Sequence, residues 1–128
     1  MSMDPITGHV KAYVGGLNYN YFQYDMAMVG RRQVGSTIKP YLYALAMENG
    51  FSPCDEVRNV EQTLFDENGK AWSPRNSSKS LYGEIVTLKW GLANSNNWIS
   101  AYLMSKLSPY ALVRLILSFG VVNKEVLP

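Results

Sequence analysis

A serine and a lysine three residues apart are the strongest candidates for chemistry in this chain of 128 residues. They are Ser36 and Lys39, within residues 35–40, where a helix is predicted to begin. Residues at this spacing share a helix face, so the lysine amine can reach back to the serine hydroxyl. A serine is a poor nucleophile until a base takes its proton. The amine can be that base if burial or the positive end of the helix lowers its pKa from about 10.4 toward neutrality.

A Ser-x-x-Lys tetrapeptide is a weak signal by itself, because such short motifs also arise by chance at helix starts. Pro40 adds to it, since proline disfavours helical geometry at the preceding residue and such local conflicts are most frequent at functional sites. A second polar group follows in a predicted loop, with Ser95 and Asn97 two residues apart. The amide can hold an amine and a substrate carbonyl, and the hydroxyl can relay a proton. The alternative is an ordinary polar turn between two helices.

The order of the short motifs along the chain resembles the transpeptidase domain of bifunctional (class A) penicillin-binding proteins. The resemblance covers residues 4–120. It rests on six motifs that follow one another in the family's order: Asp4-Pro5-x-Thr7-Gly8, Ala12-x-Val14-Gly15-Gly16, Arg32-Gln33-x-Gly35-Ser36-Thr37-x-Lys39-Pro40, Trp72-Ser73-Pro74-x-Asn76, Gly83-x-x-Val86-Thr87-Leu88 and Ala93-x-Ser95-x-Asn97. The fold that it implies is α+β, of the β-lactamase and transpeptidase type, with helices packed on an antiparallel sheet.

The resemblance also implies a role for each candidate residue. Ser36 would be the acylated nucleophile, Lys39 its base, and Ser95 the group that passes a proton to the leaving amine. Asn97 would position the lysine and the donor peptide, and Trp98 beside it is a second candidate for substrate binding. The implied reaction is attack on the D-Ala-D-Ala amide of a peptidoglycan stem peptide, followed by transfer to the amine of a neighbouring stem. β-Lactams would acylate the same serine, and neither a metal nor an organic cofactor is required.

One motif of the family does not occur in the sequence. No Lys-Ser/Thr-Gly is present, and Lys79-Ser80-Leu81 lacks the glycine. We therefore expect residues 4–128 to be the N-terminal part of the domain without its C-terminal strands, inactive or weakly active alone, and residues 1–3 to be an expression scar. The resemblance further implies a parent protein with a membrane anchor and an upstream glycosyltransferase domain, acting on the extracytoplasmic face of the bacterial membrane.

Two other functions remain open from the residues. A hydrolase on the same scaffold, either a D-Ala-D-Ala carboxypeptidase or a β-lactamase-like enzyme, would resolve the acyl-enzyme with water instead of an amine. A non-catalytic binding module could keep the scaffold without the chemistry. The intact set of four polar residues favours an enzyme over the binding module.

Composition excludes several other classes of function. Twelve Lys and Arg against ten Asp and Glu, mostly scattered, give no electrostatic footprint for nucleic acid. One cysteine and one histidine exclude the usual zinc patterns and an internal disulfide. The apolar runs fall short of the ~20 residues of a membrane span. A hydrophobic share of 47% is enough for a packed core, and the length suggests about one domain.

The elements that must position the candidate residues are mostly helical. The patterns predict a half-buried strand over residues 10–14, a helix from Ser36 to the Asn49-Gly50 stop, and a long connection with a hairpin near Asn68-Gly69. Three more helices are predicted over residues 88–94, 99–107 and 109–119. The three tryptophans are expected mainly in the core. Because a lone strand leaves backbone groups unpaired, we expect its sheet to be completed from outside, including by a second copy of the chain in a homodimer.

Overall fold

The computed structural model describes residues 1–21, 23–27, 29–66 and 68–120. The chain forms two compact units, Met1–Val34 and Gly35–Pro128, where its length suggested about one domain. All the candidate site residues belong to the second unit. Part of the predicted 4–128 segment, residues 121–128, lies outside the described residues.

The first unit contains one antiparallel pair, β1 (Ser2–Met3) with β2 (Val10–Ala12). The predicted strand therefore exists, but the prediction that it is half-buried is wrong, because all three of its residues are exposed. A partner of two residues offers no face against which it can pack. The prediction that β2 lacks a partner within the chain is also wrong, since β1 supplies one. In the stretch after it, residues 17–29, the sequence pattern does not distinguish a second strand from irregular structure. Its described residues form no helix or strand.

The second unit has two more short antiparallel pairs. β4 (Leu64–Phe65) and β5 (Ala71–Trp72) form the predicted hairpin, with Gly69 at a φ of +76° in the turn. β3 (Glu56–Arg58) pairs with β6 (Ile85–Thr87), a pairing that the sequence did not reveal. Strands of two or three residues are too short for an alternating pattern to be recognised.

Four helices carry the rest of this unit, as predicted. A 3₁₀ turn, Gly35–Ile38, leads directly into α1 (Lys39–Glu48). It is followed by α2 (Leu88–Ala93), α3 (Asn97–Lys106) and α4 (Pro109–Ser118). Threonine is a favoured N-cap residue, which predicts that Thr87 caps α2. The structure confirms this, because Thr87 Oγ1 accepts a hydrogen bond from the Trp90 backbone N–H at 3.2 Å.

The core lies between these helices and is apolar. All four helices contribute buried apolar side chains to it: Leu42, Leu45, Ala46, Leu88, Ile99, Leu103 and Leu112. Full burial of a leucine or isoleucine side chain contributes roughly 1.5–3 kcal/mol each. This core confirms the helical stripes read from the sequence, and it fixes the ends of α1 and α3 that carry the candidate site.

Gly91 sets how closely α2 approaches its neighbours. A β-carbon at this position would lie 2.8 Å from Ile99 Cγ2 and 2.8 Å from the Tyr43 hydroxyl oxygen. Only a residue without a side chain fits between the two. The short turn that follows α2, residues 94–96, is thereby held close to α1.

Candidate active site

Ser36 lies in the 3₁₀ turn immediately before α1, and its side chain is exposed. Gly35 precedes it with a φ of +51°, a left-handed conformation that glycine adopts without the cost of a β-carbon. Pro40 falls in the first turn of α1, where it is tolerated because the first backbone N–H groups of a helix have no acceptor within it. The conflict noted in the sequence is therefore resolved locally.

Lys39 is the first residue of α1 and is buried, with 6% of its surface exposed. Its Nζ donates three hydrogen bonds: to the Ser95 carbonyl oxygen at 2.6 Å, to Ser95 Oγ at 3.0 Å and to Asn97 Oδ1 at 2.6 Å. Three acceptors match the three protons of an ammonium. Burial lowers the pKa of Lys39 below its ordinary value of 10.5, since the charged form loses hydration.

Ser95 connects the lysine with the nucleophile candidate. Its hydroxyl donates to Ser36 Oγ at 3.2 Å and accepts from Lys39 at 3.0 Å. The sequence predicted that the amine reaches back to Ser36 directly; in the structure the two are joined through Ser95 instead. The two shortest hydrogen bonds of Lys39 Nζ, both 2.6 Å, are to the Ser95 carbonyl oxygen and to Asn97 Oδ1.

The backbone of Ser95 is strained. Its φ is +50°, in the left-handed region that non-glycine residues rarely occupy. Such conformations cost on the order of 1–3 kcal/mol and are concentrated at functional sites. Here the conformation lets one residue present its carbonyl oxygen and its hydroxyl to the same amine.

Asn97 is the first residue of α3, where the sequence had placed it in a loop. Its side-chain Nδ2 donates to the Arg75 carbonyl oxygen at 2.7 Å, and its backbone N–H donates to Asn76 Oδ1 at 2.6 Å. The amide is therefore held on one side by residues 75–76, and its oxygen is left for Lys39. The sequence analysis did not identify Arg75 or Asn76 as contributors, although Asn76 stood in one of the motifs.

Trp98 faces the same segment. Its indole Nε1 donates to the Pro74 carbonyl oxygen at 2.9 Å, and its ring stacks on Tyr82 with centroids 4.1 Å apart. In the part of the chain that the structure describes, Trp98 does not line the cleft beside Ser36. Its suggested role in substrate binding stays a prediction.

Two asparagines behind the site were missed from the sequence. Asn59 is completely buried, and its Nδ2 donates to the carbonyl oxygens of Ser80 and Leu81. Its Oδ1 accepts from Asn96 Nδ2 at 2.9 Å, and Asn96 Oδ1 caps α3 through the N–H of Ile99. The pair fixes the turn that carries Ser95. No sequence signal distinguishes Asn59 from the other polar residues of its long connection.

A cleft of about 670 Å³ opens beside Ser36 and Lys39. Its lining residues include Asn97, Arg75 and Trp72, and Trp72 is 59% exposed. The expectation of a core position is therefore wrong for Trp72, whereas Trp90 does pack against the core. No carboxylate lines the cleft among the described residues.

The apolar side of the cleft also departs from expectation. The helical spacing of Ile38, Leu42 and Leu45 predicts an apolar face opposite Ser36 and Lys39. In the structure Ile38 and Leu42 line the cleft together with that polar pair. The reason is the 3₁₀ turn, in which residues advance by a third of a turn and not by the smaller α-helical step. At the start of α1, the polar pair therefore does not lie opposite the apolar residues as regular α-helical spacing predicts.

Within residues 1–21, 23–27, 29–66 and 68–120, no group of three or more His, Cys, Asp or Glu side chains is placed to hold a metal ion. In the same ranges, no helix is long and apolar enough to cross a membrane.

Comparison with known proteins places this arrangement in a family. Residues 1–127 match the family model of the penicillin-binding protein transpeptidase domain. The chain belongs to this family. Penicillin-binding protein 1A of Pseudomonas aeruginosa is 31% identical over 126 residues, which are 98% of this chain and 15% of that protein. Penicillin-binding protein 1A of Escherichia coli is 36% identical over 105 residues, 81% of this chain and 12% of that protein.

A solved structure leads to the same family. The crystal structure of penicillin-binding protein 1A from Haemophilus influenzae superposes with a TM-score of 0.75 and 29% sequence identity, covering 84% of this chain and 16% of that one. The predicted class, a partial α+β fold of the penicillin-binding transpeptidase type, is confirmed. The chain spans about 15% of the length of the relatives that it matches.

Proposed function

We propose that this chain forms the nucleophile-bearing part of a peptidoglycan D,D-transpeptidase and that Ser36 is the residue acylated. Ser36 Oγ attacks the carbonyl carbon of the penultimate D-Ala of a stem peptide and forms an ester. The C–N bond to the terminal D-Ala breaks, and that amine leaves. The amine of a neighbouring stem then attacks the ester, releases Ser36 and completes a cross-link. A β-lactam acylates the same oxygen by opening its ring.

The observation that supports this proposal is the continuous hydrogen-bond path from Lys39 through Ser95 to Ser36. As observed, the path suits a protonated lysine, because the ammonium donates to Ser95 and Ser95 donates to Ser36. Loss of one proton from Lys39 lets the path reverse. Ser36 then donates to Ser95 Oγ, and Ser95 donates to the lone pair of the amine.

The reversed path gives each proton a destination. As Ser36 Oγ bonds to the carbonyl carbon, its proton moves to Ser95 Oγ while the Ser95 proton moves to Lys39 Nζ. The leaving amine later receives a proton back along the same two groups. Ser95 thus serves both halves of the reaction, and Lys39 holds the proton between them.

The charges of the cleft support a substrate that ends in a carboxylate. Lys39 and Arg75 are the charged residues among those that line it in the described part of the chain. A guanidinium can bind a carboxylate with two parallel hydrogen bonds. A D-Ala-D-Ala terminus and a penicillin both carry a carboxylate close to the carbonyl that is attacked.

Labelling with a fluorescent penicillin, followed by mass spectrometry of the adduct, tests the proposal. We expect a covalent adduct on Ser36 and none in Ser36→Ala. Ser73→Ala is a matched control, since Ser73 also lines the cleft but hydrogen-bonds to Thr63 and not to the Lys39 path. An adduct on another residue, or equal labelling of Ser36→Ala, would refute the assignment.

The rate of labelling tests the expected incompleteness of the cleft. The sequence contains no Lys-Ser/Thr-Gly, the motif that the resemblance associates with a second oxyanion donor. Loss of one such donor lowers a rate by roughly 100- to 1,000-fold. We propose that the 128-residue chain reacts slowly, and that a longer protein in which this segment is followed by that motif reacts fast. Rapid labelling of the short chain would contradict this part of the proposal.

Resolution of the acyl-enzyme separates a transpeptidase from a carboxypeptidase or a β-lactamase-like hydrolase. Incubation of the longer protein with a stem-peptide donor and an acceptor amine should give a cross-linked product. Hydrolysed donor alone, with no transfer at high acceptor concentration, would favour a hydrolase. Failure to form any adduct would favour the binding module.

The setting of the parent protein is part of the same proposal. We propose that this chain acts on the extracytoplasmic face of the bacterial membrane, within a protein that also carries a membrane anchor and a glycosyltransferase domain. A homodimer of the 128-residue chain, formed along the exposed edge of β2, also remains a proposal. A strictly monomeric elution profile at high concentration would contradict the dimer.

A further inference from the structure

Residues 74–76 make three hydrogen bonds to the first two residues of α3. The Pro74 carbonyl oxygen accepts from the indole of Trp98, the Arg75 carbonyl oxygen accepts from Asn97 Nδ2, and Asn76 Oδ1 accepts from the Asn97 backbone N–H. The distances are 2.9, 2.7 and 2.6 Å. We call residues 74–76 the α3 strap. None of the roles assigned above to the four site residues requires it.

One of these bonds, from Asn97 Nδ2 to the Arg75 carbonyl, decides which way the Asn97 amide points, and the Asn76 bond fixes the backbone from which that amide extends. An asparagine amide has an oxygen on one side and an NH₂ group on the other. With Nδ2 bonded to the Arg75 carbonyl, Oδ1 faces Lys39 Nζ at 2.6 Å. The opposite orientation would place two N–H donors against the lysine and an amide oxygen against a carbonyl oxygen. Both contacts would be repulsive.

We propose that Asn76 is a positioning residue, which anchors the backbone of Asn97 so that its amide oxygen stays on the Lys39 amine. The inference rests on the proposed function, because it assigns to the strap control over the base of that reaction. Asn76 does not line the cleft with Ser36 and acts only through Asn97.

The surroundings of Asn76 allow a sharp test by charge. Its Nδ2 is buried and has no hydrogen-bond partner among the described residues. Replacement by aspartate keeps an oxygen to accept from Asn97 N–H and replaces Nδ2 by a second oxygen. The N-terminus of α3, a helix of ten residues, favours a carboxylate at this place. Asn97 hydrogen-bonds both to residue 76 and to the Lys39 amine, so the new charge would lie one residue away from that amine in the hydrogen-bond network.

Few other charges compete with such a change. Arg75 is the other charged residue that lines the cleft, and no Asp or Glu lines it in the described ranges. The remaining titratable groups on α1, on the helices packed against it and on the loop after Asn76 do not line the cleft: Tyr41, Tyr43, Glu48, Lys79, Tyr82, Glu84, Lys89, Tyr102, Lys106, Tyr110 and Arg114.

The direct readout is an NMR titration of the Lys39 side chain, which does not depend on acylation. We expect Asn76→Asp to raise the pKa of Lys39, since a nearby negative charge stabilises the ammonium. We expect Asn76→Ala to change the Lys39 chemical shift and to lower the acylation rate at every pH, by roughly tenfold or more, because the Asn97 amide loses its anchor. In Asn76→Asp the rate should recover as the pH rises.

Matched controls are available in the turn that carries Ser95, residues 94–96. Asn94 is exposed, and its Nδ2 donates to the Trp90 carbonyl oxygen, away from Lys39. Asn94→Ala and Asn94→Asp should therefore leave both the Lys39 titration and the acylation rate close to those of the parent chain. Circular dichroism and thermal unfolding establish that each variant is folded.

The outcomes separate this inference from the proposed function. If Ser36 is never acylated in the protein without substitutions, the proposed function fails. The NMR titration of Lys39 still decides the role of Asn76. An Asn76→Asp titration that coincides with that of the parent chain, or an Asn76→Ala variant that behaves like Asn94→Ala, overturns the inference. Loss of the fold in both Asn76 variants also counts against it, since Asn76 would then serve stability and not orientation.

Discussion

The two ends of the hydrogen-bonded path in the candidate site are held very differently. Lys39 is buried and makes three hydrogen bonds, two of them at 2.6 Å. Ser36 is exposed and has one hydrogen-bond partner in the described part of the chain, Ser95, at 3.2 Å. In the proposed reaction the proton acceptor would thus be fixed before a substrate arrives, whereas the attacking oxygen would be free to approach a carbonyl. Mutations at the two ends should therefore separate chemistry from stability.

Ser36→Ala is expected to have the largest effect on chemistry and almost none on stability. Without Oγ there is no ester, so acylation by penicillin should be lost completely. The free energy of unfolding should change by about 0.5 kcal/mol or less, as at other exposed positions. Chemical denaturation and adduct mass spectrometry on the same sample provide the two measurements. A large loss of stability would show that the exposed end is held more firmly than its contacts indicate.

Lys39→Met should affect both properties. Removal of the general base is expected to lower the acylation rate by roughly 100- to 10,000-fold. The Ser95 carbonyl oxygen and Asn97 Oδ1 would lose their shared donor, at a cost of about 1–3 kcal/mol in unfolding free energy. Penicillin labelling quenched at timed intervals measures the acylation rate, and urea denaturation measures the free energy of unfolding. A variant that is slow but fully stable would contradict the view that this end is structurally constrained.

Ser95 lies between the two ends, and two substitutions separate its hydroxyl from its backbone. Ser95→Ala and Ser95→Gly both remove the relay, and each should lower the acylation rate by roughly 100-fold. Only glycine relieves the φ of +50°, so Ser95→Gly should be more stable than Ser95→Ala by about 1 kcal/mol. Equal unfolding free energies would indicate that the strain is not stored at this residue.

The smallest expected effect is a pH dependence of stability that belongs to Lys39. Burial lowers its pKa in the folded state, so between that pKa and 10.5 the unfolded chain binds more protons than the folded chain. The free energy of unfolding should therefore rise with pH across this window and be flat below it. Subtracting the curve of Lys39→Met isolates this contribution from those of other groups. A difference that falls with rising pH would contradict the burial of the amine.

Much of the helical framework could be predicted from the sequence, because its signals are local. Thr87 caps α2, and Ile99 and Leu103 mark the buried face of α3. Ser36 and Lys39 were found from their spacing, and the structure brings Ser95 and Asn97 to them. The route through Ser95 was not predicted, since it depends on a backbone torsion and on contacts between residues almost 60 positions apart.

The strands and the supports of the site were predicted least well. β3 and β6 are three residues each and lie far apart in sequence, so no alternation indicates their pairing. Asn59 and Asn76 act through side-chain hydrogen bonds to residues distant in sequence, which composition and spacing cannot reveal. Trp72 was expected in the core because aromatic residues are usually buried, and it lies instead on the cleft wall.

The close approach at Gly91 constrains how this region can diverge. Any larger residue there collides with Ile99 and Tyr43, so it becomes acceptable only after one of these has been trimmed. Replacement of Ile99 or Tyr43 by a smaller residue alone would leave a void in the core and lower the free energy of unfolding. A residue other than glycine at position 91 is therefore expected to be tolerated only in combination with a compensating change at a neighbouring position.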